Sequence, residues 1–209
     1  MINGKEHDQW DADGRVVVDI EAPEPASSRK LVVGERNGVF VAITCKSKIY
    51  KDYNDPKMTA VYKNTAVPLC LMMQRWDGRV GFPGGFVDVN LSGKTEEEAL
   101  EILEREARRE LEEETGLNDH QAKFEFVRSD KVKDGLMVHL FHFHLDYEPS
   151  VDDLRDSMAL AVEAKDFVTE GNAFWAHIYG KGLENLLKAN TLASCVREEL
   201  EAIVERIKS

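Results

Sequence analysis

Cationic side chains are in short supply in this chain. Lys and Arg number 27 against 39 Asp and Glu, a formal charge of −12 over 209 residues. That balance excludes a protein that grips nucleic-acid backbone over a broad surface, because such binding needs many cations to neutralise phosphates. Any RNA contact is expected to be local. Cysteine is scarce too. Cys45, Cys70 and Cys195 form no CxxC pair. With an odd count and no secretory signal, the expectation is reduced thiols in cytosol or nucleus. No apolar run approaches membrane-spanning length, so no membrane partner is expected. Internal repeats and low-complexity tracts are absent as well. What is present is an ordinary globular composition, 43% hydrophobic, in a length that fits one domain with a sizeable core.

Residues 1–30 are polar and read as a flexible N-terminal arm, in which Val16-Val17-Val18 is a candidate edge strand. The folded domain is expected over 31–209. Gly38 to Thr44 is apolar almost throughout and reads as a buried strand. Ala66 to Met73 is a second, with Pro68 marking a strand start or an edge. Trp76 to Arg79 reads as a turn. Phe124 to Val127, Met137 to Leu145 and Ala173 to Ile178 read as further strands. His142 and His144 share one side of the second of these; lacking a third ligand nearby, they read as ordinary strand histidines. Pro149 to Ala164, Leu183 to Ala189 and Leu192 to Ile207 read as helices, the last amphipathic through Val196, Leu200, Ile203 and Ile207. Strands on both sides of a central helix, followed by terminal helices, predict an α/β fold with a mixed sheet between helical layers.

The central helix carries the chemistry. Thr95 is its expected N-cap, with Glu98 closing a capping box, and Gly116 its expected stop. Leu100, Leu103, Ala107 and Leu111 form a buried stripe. Beside that stripe Glu110, Glu113 and Glu114 share one helical face. Carboxylates packed this closely repel one another, so a cation is expected among them. Hard oxygen ligands of this kind suit magnesium or manganese, with room left for phosphate oxygens and water. The plain alternative, a solvated acidic face, fits Glu96 to Glu98. It fits 110–114 less well, because the Gly-rich Gly81-Phe82-Pro83-Gly84-Gly85-Phe86 turn lies upstream.

Arg109-Glu110-Leu111-Glu112-Glu113-Glu114-Thr115-Gly116-Leu117 resembles the second half of the Nudix hydrolase signature at every fixed position. Glu101 stands where the spacing to Arg109 asks for a Glu. The first half departs from the pattern, since its Gly position falls on Thr95 and the natural Gly is Gly85. The extra residues are read as a helical heptad, which rotates a face by only about 20° and so keeps the acidic face in place. The resemblance implies a Nudix-type α-β-α sandwich and hydrolysis of a diphosphate linkage with Mg2+ or Mn2+. It implies metal ligands Glu110, Glu113, Glu114 and the Gly84 carbonyl. Glu113 and Glu114 would also assist as base, and Arg109 would pair with Glu113 or Glu101 to orient the cluster.

Gln74 to Asp88 and Asn190 to Leu200 are similar to one branch of that family, which removes caps from small nucleolar RNA and hydrolyses inosine diphosphate. That branch implies a homodimer in nucleus or cytoplasm and a nucleotide or capped RNA substrate. It implies Arg75 on phosphate or sugar, with Phe82, Gly84 and Phe86 lining the pocket. Two positions depart from it. The branch's base-contacting His in the first core strand has no counterpart near Val41, and Glu199 stands where the branch has a base-contacting Gln. An ionised Glu199 accepts only, which implies a preference for guanine, including 7-methylguanosine caps, over hypoxanthine. The alternatives are a catalytically weak Nudix-fold adaptor and a cap-binding module; the intact Glu set weighs against the first and the −12 charge against the second. In Lys46 to Lys63, five lysines against two aspartates leave a local charge of +3, interleaved with Tyr50, Tyr53 and Tyr62. An RNA-contacting segment and a solvated loop fit that stretch equally.

Overall fold

The computed structural model describes residues 9–10, 16–17, 30–47, 67–75, 77–115, 123–132, 135–145 and 172–208. The expected helix over 149–164 lies outside these residues, as do Trp76, Gly116 and nearly all of the basic segment after Ser47. The strands are β1 (Gln9–Trp10), β2 (Val16–Val17), β3 (Arg36–Ser47), β4 (Val67–Gln74), β5 (Val80–Gly81), β6 (Gly84–Phe86), β7 (Glu125–Lys131), β8 (Leu136–His144) and β9 (Asn172–His177). The helices are α1 (Glu96–Thr115), α2 (Lys181–Ala189) and α3 (Val196–Lys208).

Seven strands form one mixed sheet ordered β5-β4-β3-β8-β7, with β6 beside β3 and β9 beside β4. The β3–β8 pair is parallel, Arg36 to Thr44 against Leu136 to His144, and every other pairing in the sheet is antiparallel. Side chains alternate across a strand, and that alternation builds two cores. Val39, Val41, Ile43, Leu71, Met73, Phe141 and Phe143 pack on one face against Leu103, Ala107 and Leu111 of α1. Ala42, Cys70, Met72 and Leu140 pack on the other against Leu186 of α2 and Val196, Leu200 and Ile203 of α3. The result is the α-β-α sandwich expected.

The long central helix is continuous. Glu98 N donates to Thr95 Oγ1 at 3.2 Å, while Thr95 N donates to Glu98 Oε2 at 2.8 Å, the reciprocal capping box. Glu96, Glu97 and Glu98 are exposed. The inserted heptad is therefore helix, and Leu103, Ala107 and Leu111 stay on one buried stripe, with Leu100 partly buried beside them.

Three expectations need correction. The last helix begins at Val196 rather than at Leu192, because Leu192 instead bridges to Val80 in parallel, with Val80 N donating to Thr191 O and Ala193 N to Val80 O. The strand expected over 124–127 runs on to Lys131, held by β8 across a bulge between Phe126 and Arg128. Val16–Val17 pairs with Gln9–Trp10 in a separate two-stranded sheet and does not extend the main one. Cys45, Cys70 and Cys195 are buried free thiols. His142 and His144 both contact the Thr44 hydroxyl, at 2.7 and 2.9 Å, and hold β8 to β3 as strand histidines.

Candidate active site

The Gly84–Gly85 turn lies directly against the acidic face of α1. Gly84 N donates to Glu114 Oε2 at 2.6 Å. Gly84 has a φ of 144°, and a Cβ there would stand 2.1 Å from Val39 O, so β3 passes too close for any side chain. A Cβ on Gly85 would stand 2.7 Å from Glu110 Oε2. The glycines are thus required by the approach of a strand on one side and a carboxylate on the other.

Arg109 lies among these acids. Its guanidinium donates to Glu113 Oε2 at 2.7 Å, to Glu110 Oε1 at 2.5 Å and to Glu106 Oε2 at 3.1 Å. Burial alone would lower its pKa, but Glu106, Glu110 and Glu113 together raise it. Glu110 is pushed up from the ordinary carboxylate range chiefly by burial, against the pull of Arg109, with Glu113 and Glu106 adding to the rise. Of the expected pairings for Arg109, that with Glu113 is made; Glu101 is exposed, away from the guanidinium. Glu106 is the member that reading the sequence missed. It is buried, and its spacing of four residues from Glu110 was the available signal.

A cavity of about 400 Å³ opens beside this turn, within the range of about 300–1,000 Å³ usual for small-molecule sites. Gly84, Gly85 and Phe86 of β6 line it, as do Phe82, Arg75 and Glu199, so the residues expected to meet substrate converge here. From β3 come Gly38 and Phe40, from the turn before α3 Ser194, and from its first residue Val196. Phe82 is buried and Phe86 is exposed, with the Arg36 guanidinium 5.3 Å above its ring. Arg75 makes only a long ion pair to Asp77, 3.6 Å, and its Nε has no hydrogen-bond partner among the described residues. Arg79 joins Arg75 on the lining, a second cation that the sequence did not single out. Val41 points into the opposite core, so β3 offers the cavity no imidazole.

Glu199 needs a correction. The expected ionised acceptor is instead 1% exposed. Burial first and Asp130 second push its carboxyl up to about 8, against Arg128. At neutral pH it is mainly the protonated acid.

Among the described residues no group of three His, Cys, Asp or Glu side chains is disposed to hold a metal ion. The donor chemistry of the α1 face nevertheless fits a hard divalent cation. Three carboxylates, Glu106, Glu110 and Glu113, face one guanidinium, and a fourth, Glu114, takes the Gly84 N–H, leaving an excess of negative oxygen.

The family model described as Nudt16-like, U8 snoRNA-decapping enzyme-like, matches residues 43–200. A U8 snoRNA-decapping enzyme from Xenopus laevis is 39% identical over 98 residues, covering 46% of this chain and 42% of the relative. The chain thus spans less than half the length of that curated relative. A mutT/nudix family protein from Listeria innocua shares the fold, with a TM-score of 0.52 at 16% identity over 85% of this chain and 96% of its own.

Proposed function

The chain belongs to the Nudt16-like, U8 snoRNA-decapping enzyme-like family, and on that premise we propose that it is a metal-dependent pyrophosphohydrolase. Its substrate class is a purine nucleoside diphosphate or the cap of an RNA. The observation that carries this reading is the contact of Glu110 and Glu114 with the Gly84–Gly85 turn, which also lines the cavity. The decapping relative in Xenopus laevis supports capped RNA as one substrate.

Glu110, Glu113, Glu114 and the Gly84 carbonyl would hold Mg2+ or Mn2+. When bound, such an ion neutralises charge developing on the phosphate oxygens. Arg75 and Arg79 bind phosphate from the cavity wall. Phe82 and Phe86 flank the base or sugar and exclude water. Glu113 takes the proton of an attacking water, a role supported by its side chain being 37% exposed, far more than Glu110 at 14%. Arg109 positions Glu110 and Glu113 through its two short bonds. An adaptor that had lost catalysis would have no use for this set. A homodimer and residence in nucleus or cytoplasm belong to the same reading.

Phosphate release from nucleoside diphosphates and from capped RNA, with and without magnesium, tests the proposal. Glu113→Gln keeps size and removes charge, and turnover is expected to fall at least about a hundredfold. Near-normal, magnesium-dependent turnover by that variant would remove Glu113 from its role. Metal-independent hydrolysis by the parent would overturn the reading as a whole.

A further inference from the structure

The hairpin between β4 and β5 brings two cations to one place. Met73 pairs with Gly81 and Gln74 with Val80, and Arg75 N donates to Arg79 O at 2.8 Å, so the register continues into a direct Arg75–Arg79 pair. Residues opposite one another across a ladder present their side chains on one face, and like charges there repel. Both arginines line the cavity, so the crowded face is the cavity face. Asp77, which lines the cavity too, stands between them. Its Oδ1 accepts the Arg79 N–H at 3.0 Å. Its Oδ2 lies 3.6 Å from Arg75 Nε, an ion pair too long for a hydrogen bond. Among the described residues this is the one ion pair of Arg75, and Arg79 has none.

The plain reading of Asp77 is a turn residue. Gly78 N donates to Arg75 O at 2.9 Å with Gly78 at a φ of 78°, and an Asp side chain on a main-chain N–H two residues on is a common way to close such a turn. That reading accounts for Oδ1 alone. An Asn closes the same turn with its carbonyl oxygen, so the turn has no use for the charge or for the oxygen turned toward Arg75. The arginine pair does. Two guanidinium groups and one carboxylate leave a single positive charge, where the pair by itself would hold two.

Resting on the phosphate role given above to Arg75 and Arg79, we propose that Asp77 is a positioning residue, the internal counter-ion of the arginine pair, and that a substrate phosphate must outcompete it for Arg75. The exchange favours phosphate, whose oxygens meet a guanidinium at hydrogen-bond distance and in pairs, whereas Asp77 holds Arg75 by charge across 3.6 Å. Asp77 keeps its bond to Arg79 N throughout, so the hairpin stays closed while Arg75 changes partner. The same competition weakens the hold on the cleaved phosphate product and promotes its release.

Hydrolysis of guanosine 5′-diphosphate with magnesium at low salt, and its inhibition by guanosine 5′-monophosphate, test this. Asp77→Asn keeps the acceptor for Arg79 N and removes the charge. KM and the inhibition constant of the monophosphate should both fall about threefold to tenfold, with the melting temperature little changed. Combined with Arg75→Ala, the same substitution should move either constant by less than about twofold, because the group competed for is gone. Asp77→Ala loses the turn contact as well, so its melting temperature should drop while its constants fall as in Asp77→Asn. A turn role alone predicts an unchanged KM in Asp77→Asn, and that result, or a raised KM, would overturn the inference and leave the nucleotide reading standing. An equal fall with Arg75 present and absent would overturn it too, since Asp77 would then be repelling phosphate directly. A parent that neither hydrolyses the diphosphate nor binds the monophosphate would overturn both.

Discussion

Gly85→Ala separates the acid cluster from the sheet that carries it. The three atoms nearest the new Cβ all belong to one carboxylate, Glu110 Oε2 at 2.7 Å, Cδ at 2.8 Å and Oε1 at 2.9 Å. Contacts that short are not tolerated, and no backbone is among them, so Glu110 must swing away. It then loses its 2.5 Å bond from Arg109, a charge-assisted contact worth about 1.5–3 kcal/mol at most. Alanine returns about 0.4–1 kcal/mol by restricting the unfolded chain. The net stability change is thus about 1 kcal/mol, or a melting shift of about 2–4 °C in a chain of this size. Activity responds far more, because a displacement of about 1 Å in a catalytic group costs on the order of a hundredfold. Gly84→Ala provides the contrast. Its Cβ would meet Val39 O at 2.1 Å and Phe40 Cα at 2.7 Å, and the φ of 144° suits glycine alone. Backbone cannot yield as a side chain does, so this variant should lose at least about 3 kcal/mol of stability. The assays are kcat/KM across a magnesium titration, with thermal melting alongside. A folded Gly85→Ala with parental kcat/KM and parental magnesium dependence would show that Glu110 plays no part in the chemistry.

Glu106→Gln weakens one of three acceptors that hold Arg109, and kcat should fall about threefold to tenfold with KM little changed; a change confined to KM would contradict the positioning role. Arg75→Ala removes a cavity cation with an unsatisfied Nε, and KM for a diphosphate substrate should rise about tenfold or more while kcat changes less. Unfolding by urea should show His139 and His142 as acid-sensitive elements. Burial lowers both from 6.5 to about 4, so the unfolded chain takes up protons that the folded one refuses, and stability present above about pH 6.5 is lost as pH falls. Glu199 has the opposite sign, its folded value of about 8 standing above 4.5, so the measurement belongs in the Glu199→Gln background. There the unfolding free energy should drop by about 2–3 kcal/mol between about pH 6.5 and about pH 5.5, and a flat profile would show that these imidazoles are protonated in the folded state.

The parts legible in the sequence are those fixed by local periodicity. The spacing of Leu103, Ala107 and Leu111 and the Thr95–Glu98 box are properties of one helix, and α1 has them as expected. The shared face of Glu110, Glu113 and Glu114 follows from the same geometry. What was not legible depends on segments far apart in the chain. Leu192 carries the apolar spacing of a helix, yet the backbone of Val80 captures it for the sheet. The state of Glu199 is set first by burial, then by Asp130 and by Arg128, whose own Nη1 reaches Glu198 O across 70 residues. A side-chain pKa is a tertiary property, and reading Glu199 as an ionised acceptor missed the burial that pushes its carboxyl up.

The two halves of the site come from opposite faces of the sheet, and this explains the paired glycines. α1 packs on the face of Val39 and Val41, whereas Phe82 and α3, which bring the cavity its aromatic wall and Glu199, pack on the other. A carboxylate on α1 can act on a ligand in that cavity only where the sheet between them is thin. Gly84 and Gly85 form that place. Both line the cavity, and Glu110 fills the space a side chain on Gly85 would take. Only main chain therefore separates the acid cluster from the ligand space, and Glu114 is tied to it through the Gly84 N–H. On the proposed reading, the phosphates of a bound nucleotide would lie at this turn, within reach of the α1 carboxylates across main chain alone.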